Sequence, residues 1–317
     1  MGRELRGRFA PSPSGRMHAG NLFTALLAWL SVRSRGGTMV LRMEDLDPDR
    51  CREEYARVLA GDLEWLGLDW DEGYGTGGAR GPYLQSERTE CYAACFRSLE
   101  ERGLVYPCFC TRAERLAASA PHRADGQAVY GGRCRNLTGG ERARLAQTRR
   151  PAWRVRVPEE DISFSDGHLG VYRENLARDC GDFIVRRSDG VYAYQLAVTA
   201  DDGAMAITQV VRGSDLLSST PRQLYLYRLL GLDAPEFYHV PLLCAADGRR
   251  LSKRDGDLDL GALRARFSPE ELTGRLAWLA GLLERPEPVE PRELIPCFSW
   301  EKIPCEDILV PKGLFEK

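Results

Sequence analysis

The 317-residue sequence contains few lysines, almost no net charge and no long apolar run. No stretch reaches the roughly 18 apolar residues that a membrane-spanning helix needs, and the first residues carry no signal-peptide core. We therefore expect a cytoplasmic protein without a membrane anchor. The formal net charge of −2 gives no general attraction to nucleic acid, so any RNA contact must rest on local basic groups.

Only four of the 44 basic residues are lysines, and the first 301 residues contain just one, Lys253. A guanidinium is a broad fork, whereas an ammonium is a compact charge on a flexible stem. A single lysine among so many arginines indicates a site that needs the compact charge, with chance as the alternative. It lies in "RRLSKRDG", which is either a solvated basic turn or a loop that closes on a triphosphate.

The ten cysteines are scattered along a chain without an export signal, so we expect reduced thiols and no disulfide framework. Cys108 and Cys110 are closely spaced, and Cys134 follows 24 residues later. On spacing alone this is a moderate signal for zinc, which prefers four ligands and accepts thiolates.

Alternating strand and helix patterns predict an α/β fold. Residues 5–10 and 38–43 resemble strands on either side of a helix over 18–35, which is the βαβ unit of a parallel sheet. Amphipathic helices are predicted over 51–67 and 86–102. The pattern dissolves between 104 and 150, which indicates an insertion. The second half is expected to contain a hairpin over 181–198, strands within 205–217 and 237–243, and helices over 220–231, 259–266 and 269–284.

The loop "PSPSGRMHAGN" follows the first strand and contains no GxGxxG fingerprint. Parallel α/β sheets bind ligands at this edge, where the free N–H groups of a helix N-terminus favour phosphate oxygens. Gly15 and Gly20 would allow a ligand to approach the backbone. By itself the loop is equally compatible with a helix-capping turn. Glu44 ends the second strand at the same edge, where it could receive an ammonium group or a ribose hydroxyl.

Six motifs occur in an order that resembles the class I aminoacyl-tRNA synthetases. "RFAPSPSG" with the following His18-Ala-Gly-Asn resembles the HIGH signature, and "LSKR" resembles KMSKS. The first block is similar to that of the glutamate enzymes, because glutamine enzymes usually carry a glutamate where Ser12 stands. Asn21 replaces the second histidine of HIGH. The resemblance extends to about residue 285 through "RMEDLDPDR", "YLQSER" and "VVRGSDLL".

Only about 60 residues follow Lys253, where full glutamyl-tRNA synthetases continue with a large anticodon-binding portion. The chain is therefore similar to the glutamyl-Q tRNA(Asp) synthetases, shortened relatives that attach glutamate to the queuosine base of tRNA(Asp). The tail "ELIPCFSWEKIP" also resembles theirs. The resemblance implies a monomeric ligase that uses ATP with Mg²⁺ to convert L-glutamate to glutamyl-adenylate and then modifies tRNA(Asp) carrying queuosine.

The resemblance also implies a division into four parts. A Rossmann-like parallel-sheet catalytic domain is expected in two halves, residues 1–103 and 151–255, with a zinc-binding insertion at 104–150 between them. Residues 256–317 would form a short helical region that contacts the tRNA stem, with a tail and no full anticodon-binding domain.

By position in these motifs, Arg8 would bind the glutamate carboxylate through its fork, and Glu44 would receive the α-ammonium group. Tyr194 and Arg212, expected on a pair of strands, would complete the pocket. A glutamine amide would leave N–H facing N–H there, which gives strong discrimination. The residues implied to contact glutamate are Arg8, Phe9, Ala10, Pro11, Ser12, Glu44, Tyr194 and Arg212.

His18, Gly20, Asn21 and Lys253 are implied to hold ATP, with His18 and Lys253 as the catalytic residues. The metal site of this family implies Cys108, Cys110, Tyr130 and Cys134 as ligands of one structural Zn²⁺. His122 is the alternative fourth ligand. A structural zinc contributes on the order of 10 kcal/mol to a small domain, so the insertion should depend on it.

Two other functions stay open at this point. One is a compact glutamyl-tRNA synthetase that charges tRNA(Glu), and the other is an inactive paralogue that serves as a binding module. The arginines between Arg142 and Arg156 are either a solvated face or an RNA contact.

Overall fold

A computed structural model describes residues 3–111, 114, 129–245, 247–249, 251 and 258–316. The strands are β1 Arg6–Phe9, β2 Thr38–Leu41, β3 Glu72–Gly73, β4 Val105–Cys108, β5 Ala152–Val155, β6 Asp161–Asp166, β7 Gly170–Asn175, β8 Ile184–Arg186, β9 Gln209–Gly213, β10 Glu236–Val240, β11 Leu243–Cys244 and β12 Ile308–Leu309. The helices are α1 Ala19–Arg33, α2 Glu53–Trp65, α3 Thr89–Glu101, α4 Gly139–Ala146, α5 Leu176–Asp179, α6 Tyr194–Ala204, α7 Thr220–Leu230, α8 Leu260–Arg266 and α9 Pro269–Leu279.

A five-stranded parallel sheet forms the centre of the molecule, in the order β10-β9-β1-β2-β3. This confirms the predicted α/β fold with a parallel sheet. Strands β1 and β9 are adjacent although about 200 residues separate them, so the two halves of the chain meet in the middle of the sheet. All parallel strands present their carboxyl ends at one edge, which is where such sheets bind ligands.

Helix α1 packs against this sheet and fixes the loop that precedes it. Its residues Leu22, Leu26 and Leu30 are fully buried in the largest core cluster. A capping box closes its start: His18 Nδ1 accepts the Gly20 N–H at 3.2 Å, and Asn21 Oδ1 accepts the His18 N–H at 3.2 Å. The helix therefore begins at a defined residue directly above the end of β1.

A second, antiparallel sheet of order β4-β5-β8 lies outside the parallel one, and β6 and β7 form a hairpin. The stretch from 104 to 150, where the sequence pattern dissolves and indicates an insertion, contains β4 and α4. Helix α4 is short and its start is defined by a capping box between Thr138 and Glu141. Strand β4 escaped detection because Pro107 and Cys108 interrupt a run of only four residues.

The predicted hairpin over 181–198 is wrong in its second half. Strand β8 and a bridge between Arg186 and Tyr192 are present, but the chain enters α6 at Tyr194. Tyr194 therefore lies at a helix start and not on a strand paired with β9, as we had expected. A continuous apolar run cannot be assigned to strand or helix by periodicity alone, and "YAYQLAV" is such a run.

The C-terminal residues pack back onto the sheet. Strand β12 pairs in parallel with β11, and the Ile308 N–H donates to the Leu242 carbonyl at 2.8 Å. Trp300 stacks on Tyr238 of β10 with ring centroids 4.7 Å apart. Among the residues that the structure describes, no helix combines the length and apolar character needed to cross a bilayer.

Candidate functional site

A cavity of about 480 Å³ opens at the carboxyl edge of the parallel sheet, between the ends of β1 and β9. The stretches that contribute to it include the loop after β1, Glu44 three residues beyond the end of β2, the start of α6, the end of β9 and the segment 241–243. Sequence-predicted residues on its wall are Arg8, Phe9, Ala10, Pro11, Ser12, His18, Gly20, Asn21, Glu44, Tyr194 and Arg212. Leu251 also lines the cavity, while Lys253 lies outside the described residues.

Arg8 is buried at the end of β1, where Asp202 balances its positive charge. Its Nε lies 3.6 Å from Asp202 Oδ1, and its Nη1 donates to the Val211 carbonyl at 3.5 Å. Arg8 Nε has no hydrogen-bond partner at normal distance. A buried guanidinium with unused donors beside a cavity is suited to receive an anionic group.

Glu44 also lines the cavity and is held by a fully buried arginine. Arg42 Nη2 donates to Glu44 Oε1 at 3.2 Å, while Arg42 Nη1 donates to Asp202 Oδ1 at 2.6 Å. Burial raises the pKa of Glu44, and the charges of Arg42 and Arg8 oppose that rise. Asp202 thus connects the arginine and the glutamate sides of the cavity.

Tyr194 and Arg212 close the inner end. Burial, reinforced by the charge of Glu44, raises the pKa of Tyr194, so its hydroxyl is neutral. Arg212 is 4% exposed and donates to three side chains: Nε to His239 Nε2 at 3.0 Å, Nη1 to Gln223 Oε1 at 2.8 Å and Nη2 to Thr220 Oγ1 at 2.7 Å. The fold therefore fixes the plane of this guanidinium.

The outer end of the cavity is the N-terminus of α1. Because His18 Nδ1 accepts a backbone N–H, the neutral imidazole carries its proton on Nε2. A Cβ at Gly20 would lie 3.2 Å from the His18 ring, so a side chain here would push the imidazole away. Asn21 is engaged in the cap.

The predicted metal cluster also assembles. The Sγ atoms of Cys108, Cys110 and Cys134 all lie within 4.8 Å of one another. Tyr130 Oη is 3.4 Å from Cys108 Sγ and 3.8 Å from Cys110 Sγ. Although burial opposes it, the hydrogen bond from Tyr130 lowers the pKa of Cys108, whereas burial and the Cys108 charge raise that of Cys110 to about 12.

Three sulfurs and one phenolic oxygen around a common point match the four-ligand preference of zinc. The guanidinium of Arg154 lies 3.7 Å from the centre of the Tyr130 ring, which adds positive charge beside the thiols. His122, the alternative ligand, lies outside the described residues.

The arginines between 142 and 156 differ in exposure, and Arg142 is half-buried. Arg154 is buried against Tyr130, and Arg156 lies 4.9 Å from the centre of the Tyr106 ring, so both belong to the fold. Arg144, Arg149 and Arg150 are exposed.

Sequence reasoning missed the buried residues behind the cavity. These are Arg42, Asp202, His239 and Asp166, of which only the "DD" pair at 201–202 and the rarity of histidine gave a signal. The chain has only four histidines, and His239 contacts Arg212, the predicted carboxylate-binding arginine.

Comparisons with known proteins identify the family of this chain. Residues 4–283 match the family model of the class I tRNA synthetases (E and Q), catalytic domain. A glutamyl-Q tRNA(Asp) synthetase of Symbiobacterium thermophilum is 51% identical over 311 residues, 97% of this chain and 96% of that protein. Another, of Nitratidesulfovibrio vulgaris, is 50% identical over 316 residues, 99% and 98% of the two chains. A solved glutamate-tRNA synthetase from Elizabethkingia anophelis superposes with a TM-score of 0.85 at 29% identity, covering 99% of this chain and 69% of that one.

Proposed function

This chain belongs to the class I tRNA synthetases for glutamate and glutamine, and we propose that it activates L-glutamate with ATP and transfers it to the queuosine base of tRNA(Asp). The observation that carries the proposal is the single cavity in which Arg8, Glu44, Tyr194 and Arg212 meet the capped N-terminus of α1. The names of relatives that match this chain along nearly their whole length support the acceptor.

Glutamate would lie at the inner end of the cavity. Arg8 and Arg212 bind its side-chain carboxylate, and Glu44 receives the α-ammonium group. Tyr194 offers a neutral hydroxyl as a further donor. Glutamine would place amide N–H groups against guanidinium N–H groups and leave both unpaired, which excludes it.

ATP would lie at the outer end, with its phosphates over the start of α1. His18 donates from Nε2 to a phosphate oxygen, Gly20 leaves room for the nucleotide, and Asn21 keeps the histidine in place. Lys253 supplies a compact positive charge to the phosphates, and Mg²⁺ accompanies ATP.

The reaction needs no general base, because the attacking α-carboxylate of glutamate is already ionised. It forms a bond to the α-phosphorus of ATP, and the bond to pyrophosphate breaks. Alignment of the two substrates and stabilisation of charge on the leaving group account for the rate. The glutamyl group then passes from the adenylate to a hydroxyl of the cyclopentenediol ring of queuosine.

We propose that the protein also binds one structural Zn²⁺. Cys108, Cys110, Cys134 and Tyr130 would hold it, and it would stabilise the region between β4 and β5 without taking part in the chemistry. We also propose that the enzyme works in the cytoplasm as a monomer.

Transfer of radiolabelled glutamate tests the acceptor. With ATP, labelling of tRNA(Asp) only when it carries queuosine is the expected result. Labelling of tRNA(Glu) instead would identify a compact glutamyl-tRNA synthetase. Absence of both labelling and glutamate-dependent pyrophosphate exchange would identify an inactive paralogue.

A further inference from the structure

Three buried side chains, linked by hydrogen bonds, lead from the cavity into the protein interior. Arg212 Nε donates to His239 Nε2 at 3.0 Å, and His239 Nδ1 lies 2.6 Å from Asp166 Oδ2. Asp166 and His239 are fully buried, and Arg212 nearly so. The three residues come from β9, β10 and the end of β6, so they belong to different parts of the sequence.

The protonation state of His239 follows from its partners. Arginine has donors and no acceptor, so His239 Nε2 must be unprotonated to face Arg212 Nε. The proton of the neutral ring therefore lies on Nδ1 and is donated to Asp166. The Thr220 hydroxyl, 3.2 Å from His239 Nε2, can donate to the same nitrogen while it accepts from Arg212 Nη2.

Asp166 itself is anchored by the backbone. Its Oδ1 accepts the N–H groups of His168 at 3.0 Å, Leu169 at 2.9 Å and His239 at 3.2 Å. The ring of His239 lies beside Phe237 and Phe164, with centroids 6.3 and 6.4 Å away. The imidazole thus has one orientation and one tautomer.

We infer that His239, oriented by Asp166, is a positioning residue that sets the guanidinium of Arg212 for the side-chain carboxylate of glutamate. Three of the five N–H groups of Arg212 are used by His239, Gln223 and Thr220, which leaves one on each Nη nitrogen. These two N–H groups suit a carboxylate. The inference rests on the proposed function, since it assigns Arg212 to glutamate.

The arrangement makes glutamate binding sensitive to acid. The charged groups that act on His239 are Asp166, Arg212 and Arg8. Burial lowers the pKa of His239 below the ordinary 6.5, with Asp166 opposing and the two arginines adding to the effect. At neutral pH the ring is therefore an acceptor. As the pH falls through this pKa, Nε2 gains a proton, becomes a donor facing the Arg212 N–H, and the fork is displaced.

The test is steady-state pyrophosphate exchange with His239→Leu and His239→Gln at pH 8. Leucine removes the acceptor and should raise the KM for glutamate about ten- to a hundredfold, the loss expected for one buried hydrogen bond to a charged group. Arg212 contacts glutamate both in the ground state and in the transition state, so the loss should appear in the KM for glutamate. The kcat and the KM for ATP should stay within about twofold of the wild-type values. Glutamine keeps an acceptor oxygen and should restore most of the glutamate affinity.

The pH profile of kcat/KM for glutamate separates positioning from simple packing. Acid protonates both His239 and Glu44 in the wild type, whereas His239→Gln has no imidazole to protonate, so its acid limb should be shallower than that of the wild type. His168→Gln is the matched control and should keep the wild-type profile, because the His168 ring contacts the Pro304 carbonyl and Trp300, and does not line the cavity.

An unchanged glutamate KM in His239→Leu, an equal rise in the KM for ATP, or an unaltered acid limb in His239→Gln would overturn the inference while the proposed function stands. Wild-type enzyme that shows no glutamate-dependent exchange would instead overturn the proposed function. Thermal unfolding of each variant identifies any that fail to fold, and the glutamine variant, which retains size and polarity, then decides the question.

Discussion

Glu44 keeps a negative charge in surroundings that disfavour one. Burial raises its pKa, and the charges of Arg42 and Arg8, together with the hydrogen bond from Arg42, oppose that rise. An incoming α-ammonium group supplies further compensation, so binding of glutamate and ionisation of Glu44 support each other. Glu44, which the substrate needs, therefore destabilises the protein when no substrate is bound.

Glu44→Gln should lower kcat/KM for glutamate about a hundredfold, because the ammonium group loses its ionic partner. The folded-state pKa of Glu44 lies above its unfolded value, so its contribution to stability is present at low pH and is lost as the pH rises through the folded pKa. At pH 8 we therefore expect an unchanged or higher Tm. Exchange kinetics and thermal unfolding measure both effects.

The control is Glu53→Gln on the exposed start of α2, which should change neither quantity. A lower Tm together with equal losses for glutamate and ATP would contradict this account and make Glu44 a structural residue.

Individual residues of the site were predictable because each stands in a recognisable motif at the end of a predicted strand. The residues behind them were not. Arg42, Asp202 and His239 are buried polar groups, and nothing in a local sequence window distinguishes a buried arginine from an exposed one. Their partners lie 160 residues away for Arg42 and Asp202, and 73 for His239 and Asp166.

At the scale of elements, the metal cluster joins β4 to the turn that contains Tyr130 and Cys134. Cys134→Ser should remove bound zinc and lower the Tm, because the expected contribution of a structural zinc is on the order of 10 kcal/mol. Cys305→Ser, which changes an exposed cysteine, should keep about one zinc per chain. Metal analysis of the purified variants provides the measurement, and full zinc in Cys134→Ser would refute the ligand set.

Tyr130→Phe distinguishes the two possible fourth ligands. It removes only the Oη atom that lies 3.4 Å from Cys108 Sγ, so it should weaken zinc binding about tenfold or more if tyrosine is the ligand. Zinc competition with a chelator measures this affinity. Weakening in His122→Ala and not in Tyr130→Phe would assign the histidine.

The pairing of β11 with β12 connects the C-terminal residues to the segment that leads to Lys253. Ile308→Pro removes the N–H that donates to the Leu242 carbonyl, and Leu242 lines the cavity. We expect a lower Tm and a several-fold higher KM for ATP. Leu309→Pro is the matched control, since Leu309 lies between the donors Ile308 and Val310 and its side chain is exposed. Equal effects of the two prolines would argue against the pairing as the cause.

Helices and strands were predicted well where the apolar residues recur with a clear period, and poorly where they do not. Helix α1 begins one residue after its predicted start because the cap at His18 defines it. Helix α6 was mistaken for a strand because its buried face, Leu196, Ala197, Val198 and Ala200, is nearly continuous in sequence. Helix α6 packs between α3 and α7, and these contacts decide its conformation. They join residues distant in sequence, so a local sequence window does not reveal them.

The net charge of the whole molecule is −2, so any attraction to RNA must come from local basic groups. The exposed Arg149 and Arg150 line a cavity of about 750 Å³ that also includes Cys108 and Cys110. Buried Arg154, on the same wall, is committed to Tyr130. Arg149 is paired with Glu114 and with the Phe109 carbonyl, so Arg144 and Arg150 are our candidates in this segment for contact with a phosphate backbone.

Arg144→Glu combined with Arg150→Glu should raise the KM for tRNA(Asp) and leave tRNA-independent pyrophosphate exchange unchanged, because neither residue lines the glutamate and ATP cavity. Each lost phosphate contact should also reduce the slope of log KM against log salt by about one. Arg285→Glu, a single charge reversal at another exposed arginine, should alter neither value. Transfer of labelled glutamate over a salt series measures both. An unchanged KM and slope in the double variant would show that this segment is a solvated face, and RNA binding would then have to be sought elsewhere on the surface.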